Sequence, residues 1–157
     1  MNAMQPVPAP FIGFEGAVED GWIDVNGHMN VAWYDRVFDI AESNLFEAFG
    51  ICEAYTLRTN CGTFRVEKRM RYERELMPGD RLRVESRIAA TDDRVLRGTH
   101  EIVNMTRGGR AAIAECVSLH VDLAVRRSAR ITDPLVLEPL TRMSAEHSRL
   151  PPVISGR

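Results

Sequence analysis

The chain is poor in the residues that signal several common designs. Its three cysteines, Cys52, Cys61 and Cys116, form an odd, widely spaced set with no CxxC pair and no histidine at metal-ligand spacing. That excludes a disulfide framework and a structural zinc site, and reads as free thiols in a reducing cytoplasm. Excess basic charge is also missing. Twenty Lys and Arg stand against 22 Asp and Glu, for a formal net charge of -2, which offers no electrostatic footprint for nucleic acid or an anionic membrane. No apolar run approaches the roughly 20 residues needed to span a bilayer. Residues 1–10 carry neither the basic nor the apolar region of a secretory signal. A cytoplasmic protein is expected, with no nucleic-acid or membrane partner and no metal.

What is present fits one ordinary domain: 157 residues, 45% hydrophobic and 27% charged. Pro6, Pro8 and Pro10 mark residues 1–10 as an extended leader. A short strand over 14–20 is followed by a Gly-, Asn- and Asp-rich loop over 21–30. Tyr34, Phe38, Ala41, Leu45 and Phe49 then recur at helical spacing behind Asn30, a good N-cap, and Gly50 supplies the stop. A helix over 31–49 would be about 28 Å long and needs a broad surface to lie on.

Strands over 63–75, 81–91, 95–106 and 110–123 supply that surface. In the second, Leu82, Val84 and Ile88 alternate with Arg81, Arg83, Glu85 and Arg87, the pattern of an antiparallel strand with one wet face. The last strand carries Ile113, Val117, Leu119, Val121 and Leu123 on one side and small or polar residues on the other. The expectation is an α+β fold: an antiparallel sheet of about five strands covered on one face by one long helix. Residues 11–126 form the domain, and residues 127–157 form a docking tail in which Pro139 starts a short helix.

The densest polar cluster is Ile23-Asp24-Val25-Asn26-Gly27-His28-Met29-Asn30, between the first strand and the helix. A helix N-terminus presents unpaired N–H groups with partial positive charge, able to polarise a thioester carbonyl without a metal. Asp24 beside it is placed to act as nucleophile, or as general base towards water. Taken singly, each residue has a plainer role: Asn30 as a cap, Gly27 as a turn glycine, Asp24 as a turn former, His28 as a hydrogen-bonded structural histidine. The combination favours chemistry.

The run Asp24-x-x-Gly27-His28-x-Asn30, followed by Tyr34 and an acidic-apolar helix, resembles the signature of the 4-hydroxybenzoyl-CoA thioesterase-like branch of hotdog proteins. Further matches are Tyr72-Glu73-Arg74-Glu75 before Met77-Pro78-Gly79-Asp80, then Ala114-Glu115 and His120-Val121-Asp122. The resemblance covers about residues 14–126. It implies a hotdog fold, acyl-CoA thioester hydrolysis without a cofactor, and a homodimer or dimer of dimers with the acyl pocket at the subunit interface. It also makes Asp24 the reactive carboxylate and Val31 the residue whose backbone N–H polarises the carbonyl, with Asn30 capping that helix and His28 orienting or relaying a proton.

We place Gly27, Trp33, Tyr34, Tyr55 and Glu67 around the substrate. Trp22, Trp33, Tyr34 and Tyr55 hold most of the Trp and Tyr of the chain close to the motif in sequence, and together could box a quaternary ammonium through cation–π attraction. The wording from Trp22 to Asn30 is similar to the thioesterases of carnitine catabolism that hydrolyse betainyl-CoA, which makes betainyl-CoA the expected substrate. The alternatives are a hotdog hydratase acting on acyl thioesters and a non-catalytic acyl-CoA sensor.

Overall fold

The computed structural model describes residues 9–90 and 92–154. Residues 1–8, most of the expected leader, lie outside them. Strand β1 (Phe11–Ala17) begins three residues earlier than expected. Its pairing with β3 (Arg81–Ala90) sets its end, because Ala17 opposes Arg81, the first residue of β3. Asp20–Trp22 then form a turn of 3-10 helix.

Helix α1 (Val31–Ala48) starts where the cap places it: the Asn30 side chain accepts from the Ala32 N–H at 2.9 Å. It ends at Phe49 and at Gly50, whose φ of +102° is a left-handed value that suits glycine. Helix α2 (Glu53–Thr59) was not anticipated, since seven residues are too few to display helical periodicity. Strands β2 (Cys61–Tyr72), β4 (Val95–Asn104) and β5 (Arg110–Asp122) complete the antiparallel sheet in the order β1-β3-β4-β5-β2. A two-residue strand β6 (Arg127–Ser128) pairs with β5.

Helix α3 (Pro134–Ser148) starts at Pro134, not at Pro139. Proline interrupts a helix interior, so Pro139 suggested the start. Pro134 takes the first helical position, where the missing N–H costs nothing, and Asp133 caps it by accepting from the Leu135 N–H at 2.9 Å. Val136 and Leu140 are buried with Leu45, Phe46, Phe49, Ile88, Leu96 and Ile131. His147 Nδ1 accepts from the Ile88 N–H at 2.9 Å. The tail therefore completes one end of the core. Among the described residues no helix is long and apolar enough to cross a membrane.

On β5 the small residues Ala112, Ala114, Cys116 and Ser118 are all buried, while of the larger residues on the other side Ile113 and Val121 are buried and Val117 and Leu119 only half-buried. Ala112, Ala114 and Cys116 are buried in one cluster with Tyr34, Val37 and Phe38 of α1, and the helix backbone comes closest to the sheet at β1. Phe38, Ala41 and Leu45 of α1 are fully buried, and a Cβ added at Gly13 of β1 would come within 2.8 Å of Ala41. At such an approach glycine leaves room for the helix, and Asn44 ties the helix down by donating to the Gly13 carbonyl at 2.8 Å.

One polar group lies under the helix. Glu42 is buried and paired with Arg65, and His100, fully buried, shares a 2.7 Å hydrogen bond with Ser86 Oγ. Burial first, then the nearby positive charges of Arg65 and Lys68, lower His100 from its ordinary 6.5 to about 3. An unfolded chain would bind a proton at this histidine below pH 6.5 while the folded chain would not, so the cost to stability grows as pH falls from 6.5 towards 3. We expect His100→Gln, which has no proton to gain, to flatten the dependence of melting temperature on pH in that window. An equally steep dependence in the variant would show that His100 does not contribute it.

Candidate functional site

The loop between β1 and α1 folds back on itself. The Asp24 N–H donates to the His28 carbonyl at 3.1 Å and the Gly27 N–H to the Asp24 carbonyl at 3.0 Å. Gly27 has φ +81°, a left-handed turn position. The loop is pinned on both sides: the Met29 N–H donates to the Leu76 carbonyl at 2.8 Å, and the Asn30 N–H to the Trp22 carbonyl at 2.9 Å.

Leu76 is held in turn by the connection from β2 to β3. There the buried Asp80 carboxylate accepts from the Met77 N–H at 2.9 Å and from Asn104 Nδ2 at 3.0 Å, and pairs with Arg107. Burial alone would raise Asp80, but Arg107 and these two donors outweigh it and leave the carboxyl below its ordinary range. Two distant segments of the chain are thereby fixed side by side.

Asp24 is only partly exposed and faces the start of α1. Its Oδ1 accepts from the Asn26 N–H at 2.8 Å and its Oδ2 accepts from Asn30 Nδ2 at 3.2 Å. Asn30 thus joins carboxylate and helix start, donating to one and capping the other. It also uses up the neighbouring amides: its side chain accepts from the Ala32 N–H and its carbonyl from the Trp33 N–H at 3.0 Å. The Val31 N–H has no acceptor within the helix and points out of its N-terminus. His28 lies 4.0 Å from Asp24 through Nε2 and 3.2 Å from Glu75 Oε2 through Nδ1. The arrangement offers a carboxylate, an imidazole and a helix-terminal amide with no acceptor among the described residues, all within one loop.

His28, Val31 and Tyr34 open onto a cleft of about 220 Å³ shared with Met29, Tyr72 and Glu75. Tyr34 is buried, its hydroxyl pointing at the Arg74 carbonyl 3.5 Å away, and its ring meets Tyr72 edge-on at 5.1 Å and 88°. Tyr72 and Glu75 were quoted only as parts of a motif. They escaped as site residues because they sit about 40 positions from the loop and reach it through sheet topology. A larger groove of about 690 Å³, lined by Phe46, Ile51, Cys52, Phe64 and Leu123, contains none of the loop residues.

The expected aromatic box does not assemble. Trp22 and Trp33 stack on each other at 4.8 Å and 13°, so each covers a face of the other. Tyr55, on α2, bonds His120 Nε2 at 2.8 Å and packs with Leu45 and Phe46. An 18-residue helix separates it from the loop, so closeness in sequence did not become closeness in space. Glu67 also lies elsewhere. Its neighbour Lys68 turns to α1 and pairs with Asp35, so strand alternation directs Glu67 and Arg69 to the opposite, exposed face.

The chain is 33% identical over 132 residues to an Agrobacterium fabrum L-carnitine dehydrogenase/betainyl-CoA thioesterase, covering 84% of this chain and 27% of that protein. It thus spans about a quarter of that longer relative. It is 30% identical over 145 residues to a Pseudomonas aeruginosa betainyl-CoA thioesterase, covering 91% and 89% of the two chains. A Staphylococcus aureus protein solved in complex with CoA superposes with a TM-score of 0.84 at 20% identity, covering 100% and 94% of the two chains. A 1,4-dihydroxy-2-naphthoyl-CoA thioesterase from Synechocystis does so with 0.73 at 14% identity, covering 88% and 98%. The model of the thioesterase-like superfamily matches residues 18–140, and the chain belongs to that superfamily, on a hotdog fold.

Proposed function

We propose that the protein hydrolyses a small acyl-CoA, betainyl-CoA being the best-supported substrate, to the free acid and CoA. The observation that carries the reading is the Asp24 carboxylate tied to Asn30 at the N-terminus of α1, beside the Val31 amide. The relatives named for betainyl-CoA hydrolysis support the substrate.

The thioester carbonyl oxygen accepts from the Val31 N–H, where the helix dipole favours the negative charge that develops on it. Asp24 either attacks the carbonyl carbon, expelling CoA thiolate and leaving an acyl-aspartyl anhydride for water to cleave, or takes a proton from the water that attacks. His28, between Asp24 and Glu75, orients the carboxylate or passes on a proton. No cofactor enters either route.

A thiol-release assay over a panel of acyl-CoAs tests the reading. Release of CoA from betainyl-CoA supports it; tight binding with no thiol released would identify a sensor, and hydration of an enoyl-CoA would identify a hydratase.

We further propose that the protein works as a dimer. Strand β2 ends the sheet and exposes Phe64 and Val66, and an unpaired apolar edge gains by meeting a second copy. Sedimentation at micromolar concentration is expected to give twice the chain mass, and a monomer there would refute the pairing.

A further inference from the structure

The two stacked tryptophans leave open what would recognise the cation of a betainyl group, and the small cleft beside Val31 supplies an answer. At about 220 Å³ it lies below the roughly 300–1,000 Å³ of pockets for drug-sized ligands, a size for a short acyl group. Its inner wall is apolar and aromatic, formed by the buried Met29 and Tyr34. Tyr34 meets the Tyr72 ring at a right angle and holds it upright, while Tyr72 stays 48% exposed and so keeps ring surface free.

The charges at the rim are sorted. Glu73 is neutralised by Arg110, which reaches its two oxygens at 2.7 and 2.9 Å. Arg74 also lines the cleft, but its guanidinium reaches to the turn between β4 and β5, where a Cβ on Gly109 would meet it at 2.5 Å. Glu75 forms no ion pair with an arginine or lysine within 4 Å among the described residues, Arg107 acting on it only from farther away; the His28 imidazole lies 3.2 Å from it, and its side chain is 60% exposed. The Tyr34 hydroxyl, raised chiefly by burial, is raised further by the negative field of Glu75. A field that opposes a second negative charge favours a positive one.

We propose that Tyr72 and Glu75 hold the quaternary ammonium of the acyl group, the ring through cation–π attraction and the carboxylate through charge, and that they set a preference for cationic over neutral acyl-CoA. This rests on the betainyl-CoA reading and extends it from a substrate name to the groups that select it. The assignment is chemically consistent with the reaction. In betainyl-CoA one methylene separates the ammonium from the carbonyl carbon, so a carbonyl on the Val31 amide leaves the ammonium within the same small cleft. The ammonium carries no N–H, so ring face and carboxylate are the groups suited to it rather than a hydrogen-bond acceptor of fixed direction.

The test compares betainyl-CoA with 3,3-dimethylbutanoyl-CoA, which has the same shape with carbon in place of the charged nitrogen. The wild-type protein is expected to favour the cationic substrate in kcat/KM, and Tyr72→Leu and Glu75→Gln are each expected to cut the ratio between the two substrates by roughly 5- to 30-fold. Non-hydrolysable thioether analogues of both, measured by titration calorimetry, report recognition independently of turnover. A wild-type preference that survives in both variants overturns this assignment and leaves the betainyl-CoA reading standing. Equal affinities and rates for the two compounds in the wild type overturn both. A binding preference lost in the variants, in a protein that releases no thiol, supports the assignment and overturns the thioesterase reading alone.

Discussion

Asp24→Asn is expected to lower kcat for acyl-CoA hydrolysis by about 10²- to 10⁴-fold, the range in which positioned acid–base groups contribute. The substitution is informative because it leaves most of the loop intact. An asparagine side-chain oxygen can still accept from the Asn26 N–H as Asp24 Oδ1 does, so the turn keeps its internal bond. What is lost is the second acceptor: Asn30 Nδ2 now donates to Oδ2 and would meet another donor. Leaving one partly exposed amide unmatched costs about 1 kcal/mol, too little to unfold the protein. Thermal melting should therefore shift by a few degrees while thiol release nearly stops. A variant that turns over within twofold of the wild type would remove Asp24 from the chemistry, and one that melts far below it would return Asp24 to a purely structural role.

How far the chain could be read from its sequence followed from where its signals are local. Helix α1 announced itself because its cap, its apolar stripe and its glycine stop all lie within 21 residues. The alternation of β3 placed that strand correctly at its start, Arg81. The loop residues Asp24, Gly27, His28 and Asn30 were legible for the same reason. Their meaning depended on neighbours only a few positions away, and the Asn30 cap and its bond to Asp24 are contacts of two and six residues.

Other features were set by partners that sequence spacing does not reveal. That the small residues Ala112, Ala114 and Cys116 of β5 face the large side chains of α1 followed from tertiary packing. Tyr72 and Glu75 reach the loop only because β2 ends beside it; His28 and Glu75 are 47 positions apart. Conversely, Tyr55 is near the motif in sequence and was drawn to it by proximity along the chain, although the intervening helix carries it to the other end of the core.

Val31→Pro should reduce kcat by about 10²- to 10³-fold, the loss seen when one oxyanion donor is removed, with little change in stability. The group at issue is a backbone N–H, which no ordinary side-chain substitution deletes. Proline deletes it, and position 31 is one where a helix accepts proline readily: it is the first residue of α1, whose N–H has no acceptor within the helix, and the fixed φ of proline suits that position. The residue before a proline must be extended, and Asn30 already has φ −65° and ψ 144°. Val31 is 57% exposed, so the ring has room. Val31→Ala keeps the amide and isolates the effect of losing the side chain. The two variants should thus melt alike and differ in kcat, with KM changed less than kcat, because the amide serves the charge that develops in the transition state more than the bound thioester. A proline variant as active as the alanine one would show that the carbonyl is polarised elsewhere, and the helix N-terminus would lose its part in the reaction even if Asp24 kept its own.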